Sequence, residues 1–474
     1  MQKIHSFVAG SDLVEDGAEV VLDSPVPAIP GLRMADASDA AVASACEAAQ
    51  QAYMAHAFVP TLERIRWLDA AATLLAQRVE PFARCIAEDI GKPIRVARVE
   101  VRRGGEFIRA CAAQMQTLGG EMLPLDTVQP GVGHYGFTRR VPYGVVAAIT
   151  PFNAPVNLLV QKVAPALAAG NAVVVKPHPT GVRTALAMAR LFIEAGLPAG
   201  LFNVVTGDRA PAQALARHPL VRVVTFTGGT RAGDALASAA GARKFIAELG
   251  SNAANVVLKD ADLADAARKI AAAGFEASGQ QCVSAQRVIV EAPVHDAFLA
   301  LLVQAARALR TGDPFDEATD VGTMVSRAAA DRVMAMARDS VAAGGHFALE
   351  PVQDGSTVSP GILVGTPPAC AIRTEEAFGP LLVVVPADSA EHALELANDS
   401  PFGLQGALFT RDIGAAFRFA ERFDVGSMWV NEASRFRLDI YPFGGSKQSG
   451  YGREGVRYAI EELSQTKFIG IRPL

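Results

Sequence analysis

Cys282 closes the run Gly279-Gln280-Gln281-Cys282, and Glu248 opens the run Glu248-Leu249-Gly250-Ser251-Asn252. A cysteine in a turn signal just past an Ala-rich helical run presents its sulfur at the end of an element. A carboxylate brought near it can activate water. Together they are the parts for covalent catalysis through a thioester that is then hydrolysed. Each alone has a plainer reading: a lone cysteine as a small buried hydrophobe, a lone glutamate as surface charge. Their company along the chain decides.

Residues 36–118 read as helices, with an Ala-rich stretch at 39–58, a second at 61–78 and a third near 81–91 that Pro81 starts and Gly91 ends. Residues 121–142, rich in Gly, Pro and alternating apolar positions, predict a β-hairpin arm. From 143 the pattern becomes a regular strand–helix alternation. Strands are expected at 145–150, 172–176, 201–205 and 221–227, and helices at 157–169, 181–195, 209–217 and 230–240. Short β-branched runs bounded by Gly and Pro, separated by helical patterns, predict an α/β fold with a doubly wound, Rossmann-like parallel sheet. Such sheets bind nucleotides outside the carboxyl ends of their strands.

A second series starts near 253, with strand 254–258, helix 262–278, strand 287–291 and helix 294–309. It predicts a second α/β unit, so Glu248 and Cys282 flank a boundary where a cleft would form. Gln465 to Ile471 reads as one more strand, with another chain among its candidate partners.

Composition narrows the function class. The 474 residues include 44 basic and 49 acidic side chains, a net charge of −5 with no basic block, so no nucleic-acid or membrane partner is expected. Cysteines 46, 85, 111, 282 and 370 are scattered, odd in number and without metal-ligand spacing. That predicts a reducing compartment, no disulfide framework and no metal site. Met1 to Gly10 has one Lys and no sustained apolar run, and no stretch approaches the roughly 20 apolar residues of a membrane helix. A cytoplasmic enzyme is expected.

Seven segments in order resemble the aldehyde dehydrogenase superfamily: Pro151-Phe152-Asn153-Ala154-Pro155, Val175-Lys176-Pro177, Phe226-Thr227-Gly228-Gly229, Glu248-Leu249-Gly250, Gly279-Gln280-Gln281-Cys282, Glu376-Ala377-Phe378-Gly379-Pro380 and Pro442-Phe443-Gly444-Gly445-Ser446-Lys447-Gln448-Ser449-Gly450. The resemblance runs from about residue 140 to the C-terminus. It implies an NAD- or NADP-dependent, hydrolytic enzyme acting on a small-molecule aldehyde, and a homodimer or homotetramer. It also implies a division into a cofactor domain of 1–123 with 143–249, a catalytic domain of 250–448, and an oligomerisation arm and C-terminal strand of 124–142 and 464–474.

The resemblance also implies roles. Cys282 attacks the aldehyde carbonyl, and Glu248 activates the water that hydrolyses the thioester. Asn153 and the Cys282 N–H hold the oxyanion; a turn asparagine with local backbone bonds is the alternative. Lys162 matches a lysine that helps relay the proton from the glutamate, with an exposed helix lysine as its rival. Lys176 matches the lysine on the adenosine ribose. Thr150, Pro151, Thr227, Gly228, Gly229 and Gly233 border the dinucleotide at strand ends and a helix N-terminus. Glu376 matches the grip on the nicotinamide ribose, with Phe378 packed beside it.

Two departures matter. NAD-preferring relatives often carry Glu three positions after the lysine, where this chain has Pro179, which relaxes discrimination against NADP; Arg209 and Arg231 are candidates for a 2′-phosphate. Ala154 stands where many relatives have an aromatic, and Asn157, Gln161, Glu276, Arg435 and Arg437 are polar. A wet, partly cationic tunnel fits a small hydrophilic aldehyde, either polar such as a hydroxy-aldehyde or anionic through a carboxylate or phosphate. Arg435 and Arg437 as surface or interdomain salt-bridge residues are the competing reading. Two rival functions remain: a CoA-acylating semialdehyde dehydrogenase, a subgroup that typically lacks the base glutamate present here as Glu248, and a non-enzymatic reuse of the fold, which would let the site residues drift.

Overall fold

The computed structural model describes residues 3–15, 17–27 and 29–473; residues 1, 2, 16, 28 and 474, parts of the expected cofactor domain and C-terminal strand, lie outside the described residues. Two sheets organise the chain. The first has eight strands, whose middle five run in the order Phe202–Val204, Ala172–Pro177, Val145–Thr150, Val221–Thr227, Lys244–Glu248, all parallel. Every residue of Val145–Thr150 is buried, as an apolar strand covered by helices on both faces requires. The chain winds outward from this strand through 172 and 202, then jumps to its other side at 221. The topological switch point therefore lies between Thr150 and Thr227, where such sheets bind ligands.

The second sheet has seven strands, with Leu381–Ala387, Arg287–Glu291, Ala254–Val257 and Gln405–Phe409 parallel at its centre. The doubly wound expectation holds, and a second α/β unit stands beside the first.

The helical expectations for the first 118 residues hold within a residue or two, and a further helix, Ile94–Gln114, completes the layer. Gly91 ends Val79–Ile90 with φ 69°, the left-handed cap that glycine adopts without a steric cost.

The C-terminal strand is present as expected, and the residues before it join the first unit. Ser464–Ile471 pairs antiparallel with Tyr135–Pro142 of its own chain, which in turn pairs with Met122–Leu123. Residues 449–463, which the expected division left unassigned, return to the first unit. Gly450–Tyr451 adds an edge strand beside Lys244–Glu248, and Val456, Ile460 and Leu463 pack into the first hydrophobic core. Among the described residues no helix is long and apolar enough to cross a membrane.

Candidate active site

The helix expected over 262–278 ends at Phe275, because the next turn reverses hand. Ala277, Ser278 and Gly279 have φ values of 53°, 58° and 65°. Only glycine adopts this region freely, so two non-glycine residues are held there by their surroundings. Ser278 Oγ donates to the Gly322 carbonyl at 3.0 Å and to that of Thr323 at 3.2 Å. Gln280 Oε1 accepts from the Val325 N–H at 3.0 Å. Arg435 donates to Gln281 Oε1 at 2.8 Å and also pairs with Glu276, so one guanidinium touches both ends of the turn. Cys282 follows immediately.

Glu248 ends its strand opposite Gly450 of the edge strand. It is 2% exposed, and neither carboxylate oxygen has a hydrogen-bond partner of regular geometry among the described residues. Burial, then the charge of Glu454, pushes its carboxyl up to about 7, against the pull of Arg437, Cys282 and Lys162. The Cys282 thiol is raised well above its usual value, first by burial and next by Glu248, while Arg437 acts the other way. Each group shifts the other's ionisation, so thiol and carboxylate stand close in space.

Two cavities meet at this point. A cleft of about 740 Å³ lies over the switch point of the first sheet, and a second cavity of about 370 Å³ lies on the other side. Asn153 and Cys282 are the two residues that line both. Asn153 comes from the irregular segment after strand Val145–Thr150 and is 7% exposed.

Thr150, Pro151, Lys176, Thr227, Gly228, Gly229, Glu376 and Phe378 all line the larger cleft, as do Pro179, Arg209 and Arg231. Gly233 does not. It sits inside helix Thr230–Ala240, and a Cβ there would meet Leu249 Cδ2 at 2.5 Å, so close helix packing explains the glycine. The cleft suits a dinucleotide. Gly229 precedes the helix without a side-chain cap, a Cβ on it would enter open space, and Thr227 Oγ1, on the cleft, is buried without a partner among the described residues. A bare helix N-terminus and an unpaired hydroxyl match an anionic, hydroxyl-rich ligand. Burial lowers Lys176 to about 8 and raises Glu376 to about 7, and Glu376 Oε1 accepts from the Ser251 N–H at 2.9 Å. His178, which sequence reasoning passed over, also lines the cleft; burial and then Lys176 lower it to about 3, leaving a neutral ring against Phe152.

Ala154, Asn157, Arg435 and Arg437 line the smaller cavity. Gln161 does not: it accepts from Arg437 at 2.8 Å and donates to Asp439 at 3.3 Å, so it holds two other side chains. Glu276 reaches the cavity only through its pair with Arg435. Arg437 is 7% exposed, donates to Glu454 at 3.0 Å and stacks over Phe443 at 3.6 Å, which favours the salt-bridge reading for this residue. Lys162 is 1% exposed, not a surface lysine, and its Nζ donates to Glu454 Oε1 at 3.0 Å rather than to Glu248. Against the upward push of burial, Lys162 and Arg437 hold Glu454 ionised.

Glu454 carries no sequence signal that marks it; only the fold brings it to Lys162. The same is true of Lys92, Glu100 and Arg103, which line the smaller cavity beside Arg268, Lys269 and Glu432. Cations outnumber carboxylates on this wall.

A sequence profile of the Aldehyde dehydrogenase family matches residues 15–469. The chain is 40% identical over 430 residues to a 3-sulfolactaldehyde dehydrogenase of Priestia megaterium, covering 90% of this chain and 89% of that one. It superposes with a TM-score of 0.96 on an NADP-dependent glyceraldehyde-3-phosphate dehydrogenase from Bacillus halodurans in complex with NADP, at 31% identity and covering 100% of each chain. An NAD-dependent aldehyde dehydrogenase from Sinorhizobium meliloti gives a TM-score of 0.95 at 32% identity, covering 99% of this chain and 95% of that one.

Proposed function

The chain belongs to the aldehyde dehydrogenase family, and from that membership we propose that it oxidises a small anionic aldehyde to its acid through a thioester on Cys282. The observation that carries this reading is the meeting of two cavities at Asn153 and Cys282. A nucleophile at such a junction serves a substrate on one side and a dinucleotide on the other.

Lys176, Glu376, Gly228, Gly229 and the start of helix Thr230–Ala240 would hold NAD or NADP. The dinucleotide, when bound, would supply the hydride acceptor that lets the thiohemiacetal on Cys282 become a thioester.

The chain's own residues perform the rest. The Cys282 sulfur bonds to the carbonyl carbon as the C=O electrons move to oxygen, and the thiol proton passes to a base. Glu248 is the nearest candidate, since its raised carboxyl and the thiol shift each other. The Asn153 amide and the Cys282 N–H stabilise the oxyanion, a contribution of about 3–4 kcal/mol for one such donor. Once that first proton has passed to solvent, Glu248 takes a proton from water, hydroxyl adds to the thioester carbon, and the C–S bond breaks to release the acid and the Cys282 thiolate. Glu454, fixed between Lys162 and Arg437, sets the charge around Glu248 and is not itself a free base.

The cations on the wall of the smaller cavity support an anionic substrate, with Arg435, 27% exposed at its side chain and paired with Glu276, as the guanidinium next to the nucleophile turn, beside the more exposed Arg103 and Arg268. The sulfonated substrate of the Priestia relative and the phosphorylated one of the Bacillus enzyme are of this kind. Pro179 in place of a carboxylate, with Arg209 and Arg231 on the cleft, supports use of NADP beside NAD, although Asp208 also lines the cleft. The outer edge of strand Ser464–Ile471, with Phe468 and Ile471 exposed, supports a homodimer or homotetramer.

Reduced-nicotinamide formation tests the reading, with NAD and NADP side by side over neutral aliphatic, aromatic, carboxylated, phosphorylated and sulfonated aldehydes. Preference for the anionic members is expected. Best activity on neutral aromatic or long aliphatic aldehydes would refute the substrate assignment.

A further inference from the structure

The amide of Asn153 can serve an oxyanion only if its backbone is fixed, and residues 151–156 belong to no helix or strand. Their N–H and C=O groups therefore need partners from elsewhere. One buried ion pair supplies two of them, at Asn153 and Val156, and a third at the first residue of the following helix. Lys92, next after the left-handed Gly91, donates from Nζ to the Asn153 carbonyl at 2.5 Å and to Glu100 Oε2. Glu100 Oε1 accepts from the Val156 N–H at 2.9 Å and the Asn157 N–H at 3.3 Å. Lys92 is 6% exposed and Glu100 7%, and both line the smaller cavity.

Helix Asn157–Ala168 has no side-chain cap from its own N-cap residue, Val156. Glu100 takes that part from a distant helix, and its negative charge suits the helix N-terminus. The Asn153 carbonyl has no other hydrogen-bond donor among the described residues. A buried ion pair is a poor device for stability alone, because desolvation offsets much of the attraction. It is a good device for direction, since one ammonium and one carboxylate grip both ends of an irregular segment.

We propose that Lys92 and Glu100 are positioning residues for Asn153: the ion pair holds the 153–157 segment so that the Asn153 amide faces the oxyanion beside Cys282. The inference rests on the oxyanion role proposed above for Asn153. A displacement of about 1 Å in such a donor is enough to cost on the order of 100-fold in rate.

A double-variant cycle on the full-length enzyme tests it, using Lys92→Met, Asn153→Ala and the two combined. Two probes are read: oxidation of glyceraldehyde 3-phosphate, and release of 4-nitrophenol from 4-nitrophenyl acetate, whose attack by Cys282 needs the same oxyanion donors and no cofactor. Each single change should lower kcat by about 100- to 1000-fold on both probes. KM and the Kd for reduced cofactor should stay within about threefold, and the combined variant should be no more than about threefold slower than Asn153→Ala, as expected of residues that act as one unit. Losses that multiply in the combined variant would overturn the proposal. If Lys92→Met does not fold, Glu100→Gln, which keeps an acceptor for the Val156 and Asn157 N–H groups, takes its place with the same criterion. Wild-type turnover by Asn153→Ala alone would instead overturn the oxyanion reading itself.

Discussion

Arg437 and Glu454 form an ion pair at 3.0 Å with side chains 7% and 8% exposed, and Lys162 holds the other oxygen of the same carboxylate. Removing the guanidinium leaves a buried carboxylate with one partner in place of two. Arg437→Met should therefore destabilise the fold by about 3–5 kcal/mol, read as a lower denaturation midpoint. An unchanged midpoint with a raised KM for anionic aldehydes would return Arg437 to direct substrate contact.

Arg435 is the contrasting case, because its side chain is 27% exposed and faces the cavity. Arg435→Gln should raise KM for carboxylated, phosphorylated or sulfonated aldehydes by about 10- to 100-fold, the loss of a charged hydrogen bond. KM for a neutral aldehyde should change little. Equal losses on both classes would show that Arg435 acts through Gln281 and the nucleophile turn instead.

Glu248 serves as a base only when ionised, and burial pushes its carboxyl up to about 7. Thioester hydrolysis should rise with pH through about 7, and Glu248→Gln should flatten that limb and give a burst of reduced cofactor before slow turnover. Stability follows the opposite course. A carboxyl raised on folding binds its proton more tightly in the folded state, so its contribution declines as pH rises from about 4.5 to about 7. Glu248→Gln should lack that decline, which unfolding midpoints measured at pH 5 and pH 8 will show.

Cys282→Ala should abolish aldehyde oxidation and leave reduced-cofactor binding within about twofold, since no residue assigned to hold the dinucleotide is removed. Fluorescence titration with NADH and NADPH checks this. Residual oxidation above background would place the nucleophile elsewhere.

The left-handed turn offers a test of loop strain. Gly279 has φ 65°, and a Cβ there would meet the Gly379 carbonyl oxygen at 2.3 Å. Gly279→Ala should cost about 1–3 kcal/mol and lower kcat more than it raises cofactor Kd, because the displaced segment carries Cys282. Wild-type kcat in that variant would show that the turn does not set the sulfur's position.

The elements with strong punctuation were legible without coordinates: Gly91, Gly170 and Gly196 stop their helices where expected, and strand Val145–Thr150 reads as a buried run. Asn153 and Cys282 were legible because their motifs are local. The Ala-rich pattern before Cys282 continues past Phe275 while the backbone reverses hand, so apolar periodicity alone overextends that helix. Gly233 belongs to a glycine-rich turn in sequence, yet its packing partner Leu249 is reached only through the fold. Glu454, Lys92 and Glu100 matter through partners far away along the chain, and no local pattern marks such pairings. Gln161 does not line the smaller cavity but accepts a hydrogen bond from Arg437, which does, a layering that helix periodicity does not reveal.

Strand Gly450–Tyr451 lies beside Lys244–Glu248, with Gly450 opposite Glu248, and a Cβ on Gly450 would strike the Ala247 carbonyl oxygen at 2.0 Å. A ribosome releases Glu248 long before Gly450, with the entire second sheet made in between. During synthesis the first sheet therefore waits with an open edge at Glu248, a non-local pairing of the slow-folding kind. A chain that ends before Gly450 lacks this edge strand, and strand Lys244–Glu248 is then left with an open edge beside Glu248.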